Sequence, residues 1–122
     1  MSKIISIKKS SDFKIIQKNA HKKHALSIIL LQHPTLINSK LNNKFVDDNQ
    51  NFNCRFGITI SKKIHKSAVV RNKIKRRIKN ILKELLPIIS KSNYDYIIIA
   101  KQQILELDYN KIYNDIKRLL IN

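Results

Sequence analysis

The segment from Ser61 to Lys83 contains no acidic residue, yet it holds Lys62, Lys63, Lys66, Arg71, Lys73, Lys75, Arg76, Arg77, Lys79 and Lys83. Like charges at this density repel, so the run cannot form a stable element unless an apolar face anchors it. That face is present. Ile74, Ile78, Ile81, Leu82 and Leu85 recur at i, i+4, i+7, i+8 and i+11, which is one stripe of an α-helix. At about 100° per residue, Asn72, Arg76, Lys79, Asn80 and Lys83 fall on the opposite side, with Lys73, Lys75 and Arg77 at the flanks. The pattern predicts a helix that buries one face and holds a positive ridge in water. A face serving solubility alone tends to mix signs, with Glu four residues ahead of Lys. An acid-free ridge points instead to a polyanionic partner.

The overall balance agrees. Lys and Arg number 25 against 8 Asp and Glu, a formal net charge of +17, and such a field attracts phosphate polymers and makes binding steeply salt-dependent. The 122 residues, 43% hydrophobic and 27% charged, predict one globular domain spanning residues 1–122. Heavy use of Ile, Asn and Lys has the character of an AT-rich coding bias, so scattered lysines carry less weight than the five arginines. The one cysteine, Cys54, excludes an internal disulfide and a cysteine-based zinc site, and reads as a small buried hydrophobe. The N-terminus lacks the apolar core of a secretory signal, and nowhere do about 18 apolar residues run together. A cytoplasmic protein with no membrane partner is expected.

Taken in order, Ser10 or Ser11 is placed to cap a first helix, with Asp12 in its first turn and Phe13, Ile16 and Ala20 near one face. His21-Lys22-Lys23-His24 breaks that pattern, and residues 25–31 read as a buried strand ended by His33-Pro34. A polar, Asn-rich insertion occupies about 35–53, with room for a short strand around Lys44-Phe45-Val46; it is either a mobile insertion or a partner contact. Residues 55–61 alternate as a strand, in which Gly57 marks a close backbone approach or a bulge. The basic helix is predicted over Ala68–Leu86, with Ser67 as its cap and Pro87 as its stop. Residues 94–100 form the clearest strand, and Asp108 caps a last helix with the stripe Ile112, Ile116, Leu119 and Leu120. The order αβββαβα predicts an α/β (α+β) two-layer sandwich with one four-stranded sheet.

At Ser61-Lys62-Lys63 followed by Ala68-Val69-Val70-Arg71-Asn72-Lys73-Ile74-Lys75-Arg76-Arg77, the sequence resembles the bacterial ribonuclease P protein subunit. That family's signature is an Arg-Asn-Arg helix preceded by a strand ending in Ser-Lys-Lys. Asp12-Phe13, residues 55–61, residues 94–100 and Leu107-Asp108-Tyr109 resemble its other elements in the same order, so the likeness covers most of the chain outside 34–53. The resemblance implies a left-handed β-α-β crossover, against the usual hand. It also implies a protein that joins a catalytic RNA to remove the 5′ leader from precursor tRNA. Hydrolysis would belong to the RNA and to Mg²⁺ held mainly by RNA and substrate, with no small-molecule cofactor and no catalytic residue or metal site on the protein.

On this reading Arg71, Asn72, Lys73, Lys75, Arg76, Arg77 and Lys79 bind the catalytic RNA, where phosphate contacts position rather than specify. Lys62, Lys63 and Lys66 stand at the mouth of the family's leader cleft, and Phe13 and Arg55 are the candidate cleft residues. Phe13 serves core and platform equally well by its spacing, and Arg55 either enters the cleft or flanks its strand. Lys73 replaces the signature's second arginine and loses the planar fork that grips phosphate bidentately. Asn80 stands where the family often has an acid. Gln17 occupies a place where another aromatic is common, and the adjoining strand offers Leu30 and Leu31 rather than a tyrosine. A structural RNA-binding protein such as a ribosomal component fits the composition and charge too, but has no reason to carry the ordered signature. A DNA-compacting role is weaker still. His21 and His24 lack a third zinc ligand nearby, and Asp47-Asp48 in a loop is poorly fixed for a protein nuclease using Mg²⁺.

Overall fold

The computed structural model describes residues 5–34, 54–89 and 94–121. In chain order the elements are β1 (Ile5–Ser6), α1 (Ser10–Asn19), β2 (His21–His24), β3 (Ile28–Pro34), β4 (Arg55–Thr59), α2 (Ala68–Ile89), β5 (Tyr94–Ala100), a 3-10 turn at Gln102–Glu106 and α3 (Tyr109–Ile121). Strands β2 to β5 make one mixed sheet, and the two-residue β1 extends its edge in the order β1-β4-β5-β3-β2. β3 and β5 are antiparallel, with Ile28 opposite Ala100 and Pro34 opposite Tyr94. β4 and β5 are parallel, with Arg55 opposite Asp95 and Thr59 opposite Ile99. A parallel pair requires a crossover, which α2 supplies.

Alternation along the strands sorts the side chains into two layers. Ile28 and Leu30 of β3, Phe56 of β4, and Tyr96, Ile98 and Ala100 of β5 face α2 and α3 in the main core. Phe56 and Tyr96 are cross-strand partners whose rings stack at 5.3 Å. From α2 come Ile74, Ile78, Ile81, Leu82 and Leu85; from α3, Ile112, Ile116, Leu119 and Leu120. On the opposite face lies α1, the one helix there among the described residues, its Ile16 packed with Ile7, Leu31 and Ile97, and with Phe13, Ala20, Ile29 and Ile99 at the margin. Cys54 is buried in the main core, as a small hydrophobe.

Several boundaries differ from the sequence expectation, each for a local reason. His21–His24 is a strand, β2, paired with β3 from His21 opposite Gln32 to His24 opposite Ile29. An edge strand needs no apolar alternation, and lysines blunt such edges. The strand expected at 25–31 begins only at Ile28, because Ala25-Leu26-Ser27 is a turn. The Ser27 carbonyl accepts from Lys101 N at 2.9 Å, and Ala25 N donates to the Ile28 carbonyl at 2.9 Å. The strand runs on to Pro34, which lies opposite Tyr94 of β5 and beyond the last residue of β3 paired with β2, so its missing N–H falls at a strand end. The strand expected over 55–61 ends at Thr59. Ser10 and Ser11 lie inside α1, and Lys9 occupies the cap without a side-chain bond. Pro87 does not stop α2, which continues to Ile89. A proline's fixed φ is helical, and this one is exposed and only two residues from the helix end, so its missing N–H and its crowding of the preceding turn are borne at a solvent-facing terminus. Ser67 and Asp108 do act as caps: Val70 N donates to Ser67 Oγ at 3.4 Å and Lys111 N to Asp108 Oδ1 at 2.8 Å. The candidate strand at Lys44-Phe45-Val46, and the insertion holding it, lie outside the described residues.

Two polar or steric contacts fix the helices on the sheet. Asp115 of α3, 1% exposed, accepts from Ser27 N at 3.1 Å and Ser27 Oγ at 2.8 Å, and pairs with Lys111 Nζ at 3.1 Å. Burial alone would raise this carboxyl, but the Ser27 and Lys111 hydrogen bonds outweigh it and hold the group below its ordinary range. On the other face Gly57 meets the Phe13 ring so closely that an added Cβ would lie 2.4 Å from Cζ. Any larger residue there would force the Phe13 ring to shift.

Asp115→Asn should lower unfolding free energy by about 1–3 kcal/mol at neutral pH, since it leaves buried donors poorly matched. A depressed carboxyl stabilises the fold above its unfolded pKa and loses that contribution as pH falls through the folded one. Denaturant titrations should therefore show the gap between the two proteins closing as pH drops below the ordinary carboxylate range; a gap constant with pH would contradict the assignment. Gly57→Ala should destabilise by about 1–3 kcal/mol through overpacking. Adding Phe13→Leu should recover part of that loss in thermal unfolding, whereas simple additivity would count against the ring contact.

Candidate nucleic-acid interface

The α2 surface is sorted as its periodicity demands. Asn72, Lys73, Lys75, Arg76, Lys79, Asn80 and Lys83 are exposed, while Arg71 and Arg77 are half-buried at the edges of the stripe. Among the described residues, none of the arginines and lysines of α2 lies within ion-pair distance of a carboxylate; the ion pairs found join Arg55 to Asp12 and Asp95, and Asp115 to Lys111 and Arg118. Arg71 Nε is enclosed with no hydrogen-bond partner among the described residues. Among the described residues the ridge is thus a row of positive charge without an ion-pair partner, mounted on a helix whose underside is buried.

The connection into α2 is held as firmly as the helix. Ile64 is buried, its amide donates to the Ser61 carbonyl at 3.0 Å, and its own carbonyl accepts from Gln102 Nε2 at 3.3 Å. His65 Nδ1 accepts from Ser67 N at 3.0 Å, just ahead of the helix. These anchors leave Lys62, Lys63 and Lys66 exposed beside the start of the ridge.

Two crevices lie near this surface, the first at the β1–β4 edge of the sheet, where residues of both faces meet, and the second on the α1 side. The first, of about 250 Å³, is lined by Ser6, Ile7, Phe13, Phe56, Gly57, Ile58, Lys75 and Lys79. Phe13, half-buried, therefore shares a wall with two lysines of the ridge. The second, of about 300 Å³, is lined by Gln17, Lys22, His24, Ile29, Leu31 and Ile99. Its floor is aliphatic and its rim is cationic and polar. Gln17 and Leu31 meet here, whereas Leu30 points into the main core. Lys22 and His24 of β2 join the site without any signal in the sequence, because pairing with β3 brings them beside Leu31 and Ile29. His21, three residues from His24 on the strand, falls on the other face by alternation. Lys62, Lys63 and Lys66 line neither crevice.

Arg55 is on the crevice side of the sheet, but its guanidinium is engaged. Nε and Nη2 donate to Asp95 Oδ1 and Oδ2 at 3.0 and 2.6 Å, and Nη1 reaches Asp12 Oδ2 at 3.3 Å. Hydrogen bonding to Asp95 is the main cause that raises its pKa above the ordinary arginine value, so it is charged at every accessible pH. Among the described residues no group of three or more His, Cys, Asp or Glu side chains is arranged to hold a metal ion, and no helix is long and apolar enough to cross a membrane. Asp47 and Asp48 lie outside the described residues.

The comparisons with known proteins fit this arrangement. The family profile described as Ribonuclease P matches residues 1–122. The ribonuclease P protein component of Rickettsia rickettsii is 31% identical over 120 residues, covering 97% of this chain and 96% of that protein. The Microcystis aeruginosa component is 45% identical over 67 residues, 55% of each chain, so that match spans about half the length of the relative. The Staphylococcus aureus RNase P protein superposes with a TM-score of 0.75 at 29% identity, covering 98% of this chain and all of that one. The Thermotoga maritima RNase P protein, at 18% identity and a TM-score of 0.73, shares the fold. A mixed sheet crossed by a cationic α2, a whole-chain profile match and a full-length relative place the chain in the ribonuclease P protein family.

Proposed function

We propose that this chain is the protein subunit of a ribonuclease P ribonucleoprotein and supports removal of the 5′ leader in tRNA maturation. The observation that carries the reading is the α2 ridge, whose cations have no carboxylate partner among the described residues. Arg71, Lys73, Lys75, Arg76, Arg77 and Lys79, with Asn72 as a neutral hydrogen-bonding member, bind phosphates of a catalytic RNA; Lys62, Lys63 and Lys66 extend that contact toward the substrate. Rigid mounting matters because a backbone already fixed by the core leaves only side-chain entropy to be lost on docking.

The single-stranded leader of precursor tRNA passes the α1 side of the sheet. Phe13 offers a ring face at the first crevice, and Ile29, Leu31 and Ile99 offer an aliphatic floor at the second. Base–aromatic stacking contributes about 1–3 kcal/mol per base, so Phe13 carries more of the grip than any one aliphatic neighbour. Phosphodiester hydrolysis belongs to the RNA with its bound Mg²⁺, for which the protein offers positive potential and substrate positioning. No residue here is assigned to bond cleavage.

Reconstitution tests this. The protein added to a bacterial catalytic RNA should lower the Mg²⁺ concentration needed for leader removal; an unchanged requirement and rate would favour a purely structural RNA-binding protein. Arg76→Ala should weaken assembly and reduce the slope of log affinity against log salt by about 0.7–0.9. An unchanged slope would remove Arg76 from the phosphate contacts.

A further inference from the structure

A free guanidinium on the crevice side of the sheet would be a natural phosphate ligand. The geometry of Arg55 argues for a different task. Its fork is closed on Asp95, its remaining nitrogen reaches Asp12, and the three side chains are only 11%, 0% and 18% exposed, respectively. Two carboxylates already face one positive charge, and a phosphate approaching Arg55 would meet both. The neighbouring positions in sequence form a second contact between the same two elements. Phe13, next to Asp12, abuts Gly57, two residues on from Arg55 and on the same face of β4. Ion pair and ring contact are therefore adjoining pins between the first turn of α1 and β4.

We propose that Arg55 is a positioning residue: by holding Asp12 it fixes the first turn of α1, so that the Phe13 ring stands in the crevice beside Lys75 and Lys79, and it does not itself contact RNA phosphate. Asp12 thereby becomes an acid that assists RNA binding. This rests on the reading that Phe13 meets the leader.

The sign of the effect makes the proposal testable. Removing a carboxylate beside an RNA-binding crevice raises the local positive potential, so if charge alone counted, Asp12→Asn would tighten leader binding. Positioning requires the opposite. In the holoenzyme reconstituted with a bacterial catalytic RNA, the readout is the ratio of affinities for leader-bearing and leaderless tRNA. Phe13→Ala should lower that ratio about fivefold or more. Asp12→Asn, nearly isosteric and checked for folding by thermal unfolding, should lower it in the same direction and add nothing in the Phe13→Ala background. Arg55→Lys keeps the charge but loses the fork, and should behave like Asp12→Asn with an unchanged salt slope.

A ratio that rises or stays constant in Asp12→Asn overturns the proposal, as does an Arg55→Met protein whose salt slope falls by about 0.7 or more. If Phe13→Ala leaves the ratio unchanged, the leader reading falls and takes the positioning role with it. If Phe13→Ala lowers the ratio and Asp12→Asn does not, only the positioning role falls.

Discussion

Burial of the apolar stripe of α2 is the interaction on which the rest of the molecule depends. Ile78, Ile81, Leu82 and Leu85 have no exposed surface. Side chains of this kind contribute about 1.5–3 kcal/mol each when fully removed from water. Repulsion between like charges one turn apart on a helix costs only a few tenths of a kcal/mol per pair, about 0.2–0.5. The burial term wins by a wide margin. It also means that the ridge cannot exist apart from the sheet: detached from Phe56, Tyr96 and Ile98, the same segment would have repulsion and no compensating core. The cations are therefore fixed in space by residues that carry no charge.

Acidic residues are distributed in the complementary way. The chain has eight, and those found in ion pairs are at Asp12, Asp95 and Asp115, away from the ridge. Asp115 ties α3 to the turn between β2 and β3, and Asp12 with Asp95 ties α1 to the sheet through Arg55. In each case the carboxylate joins elements far apart in sequence, where a desolvated charge needs several donors to be stable. These acids thus serve internal joints, while Glu84, Glu106 and Asp108 are exposed and none of them is within ion-pair distance of a ridge cation among the described residues. This sorting lets the ridge keep its full field while the small domain retains polar links between its layers.

Much of this was legible in the sequence, and the remainder was hidden for identifiable reasons. The stripe of α2 and the last helix follow from periodicity, because each buries one face against a neighbour, and the strand at Tyr94–Ala100 follows from its short, β-branched apolar run, which is buried on both faces of the sheet. β2 was not legible: His21-Lys22-Lys23-His24 is an edge strand whose hydrogen bonds go to β3 and whose side chains have little to bury. Without β2 the second crevice could not be assembled, since Lys22 and His24 reach it only through that pairing. Arg55 could be placed on a strand and on a face, but its partners at Asp12 and Asp95 lie 43 and 40 residues away and leave no local trace. Gly57 was legible as a point of close approach; that the approaching group is Phe13 required the fold. Pro87 misled, because a missing N–H on the watered side of a long helix is survivable.

The two crevices differ in a way that bears on how single-stranded RNA is read in the proposed function. The first sets an aromatic ring beside Lys75 and Lys79, so that under the proposed function stacking and phosphate attraction would act on the same nucleotide. The second has Ile29, Leu31 and Ile99 beneath Lys22, His24 and Gln17. Aliphatic side chains take any base by contact area and lack the quadrupole that orients a ring. If the proposed leader passes the second crevice, discrimination there would come from its polar rim, where the Gln17 amide both donates and accepts and the Lys22 ammonium only donates. Under that proposal, grip at the first crevice and selectivity at the second would be separable, because the residues that line each lie on different parts of α1 and toward opposite edges of the sheet.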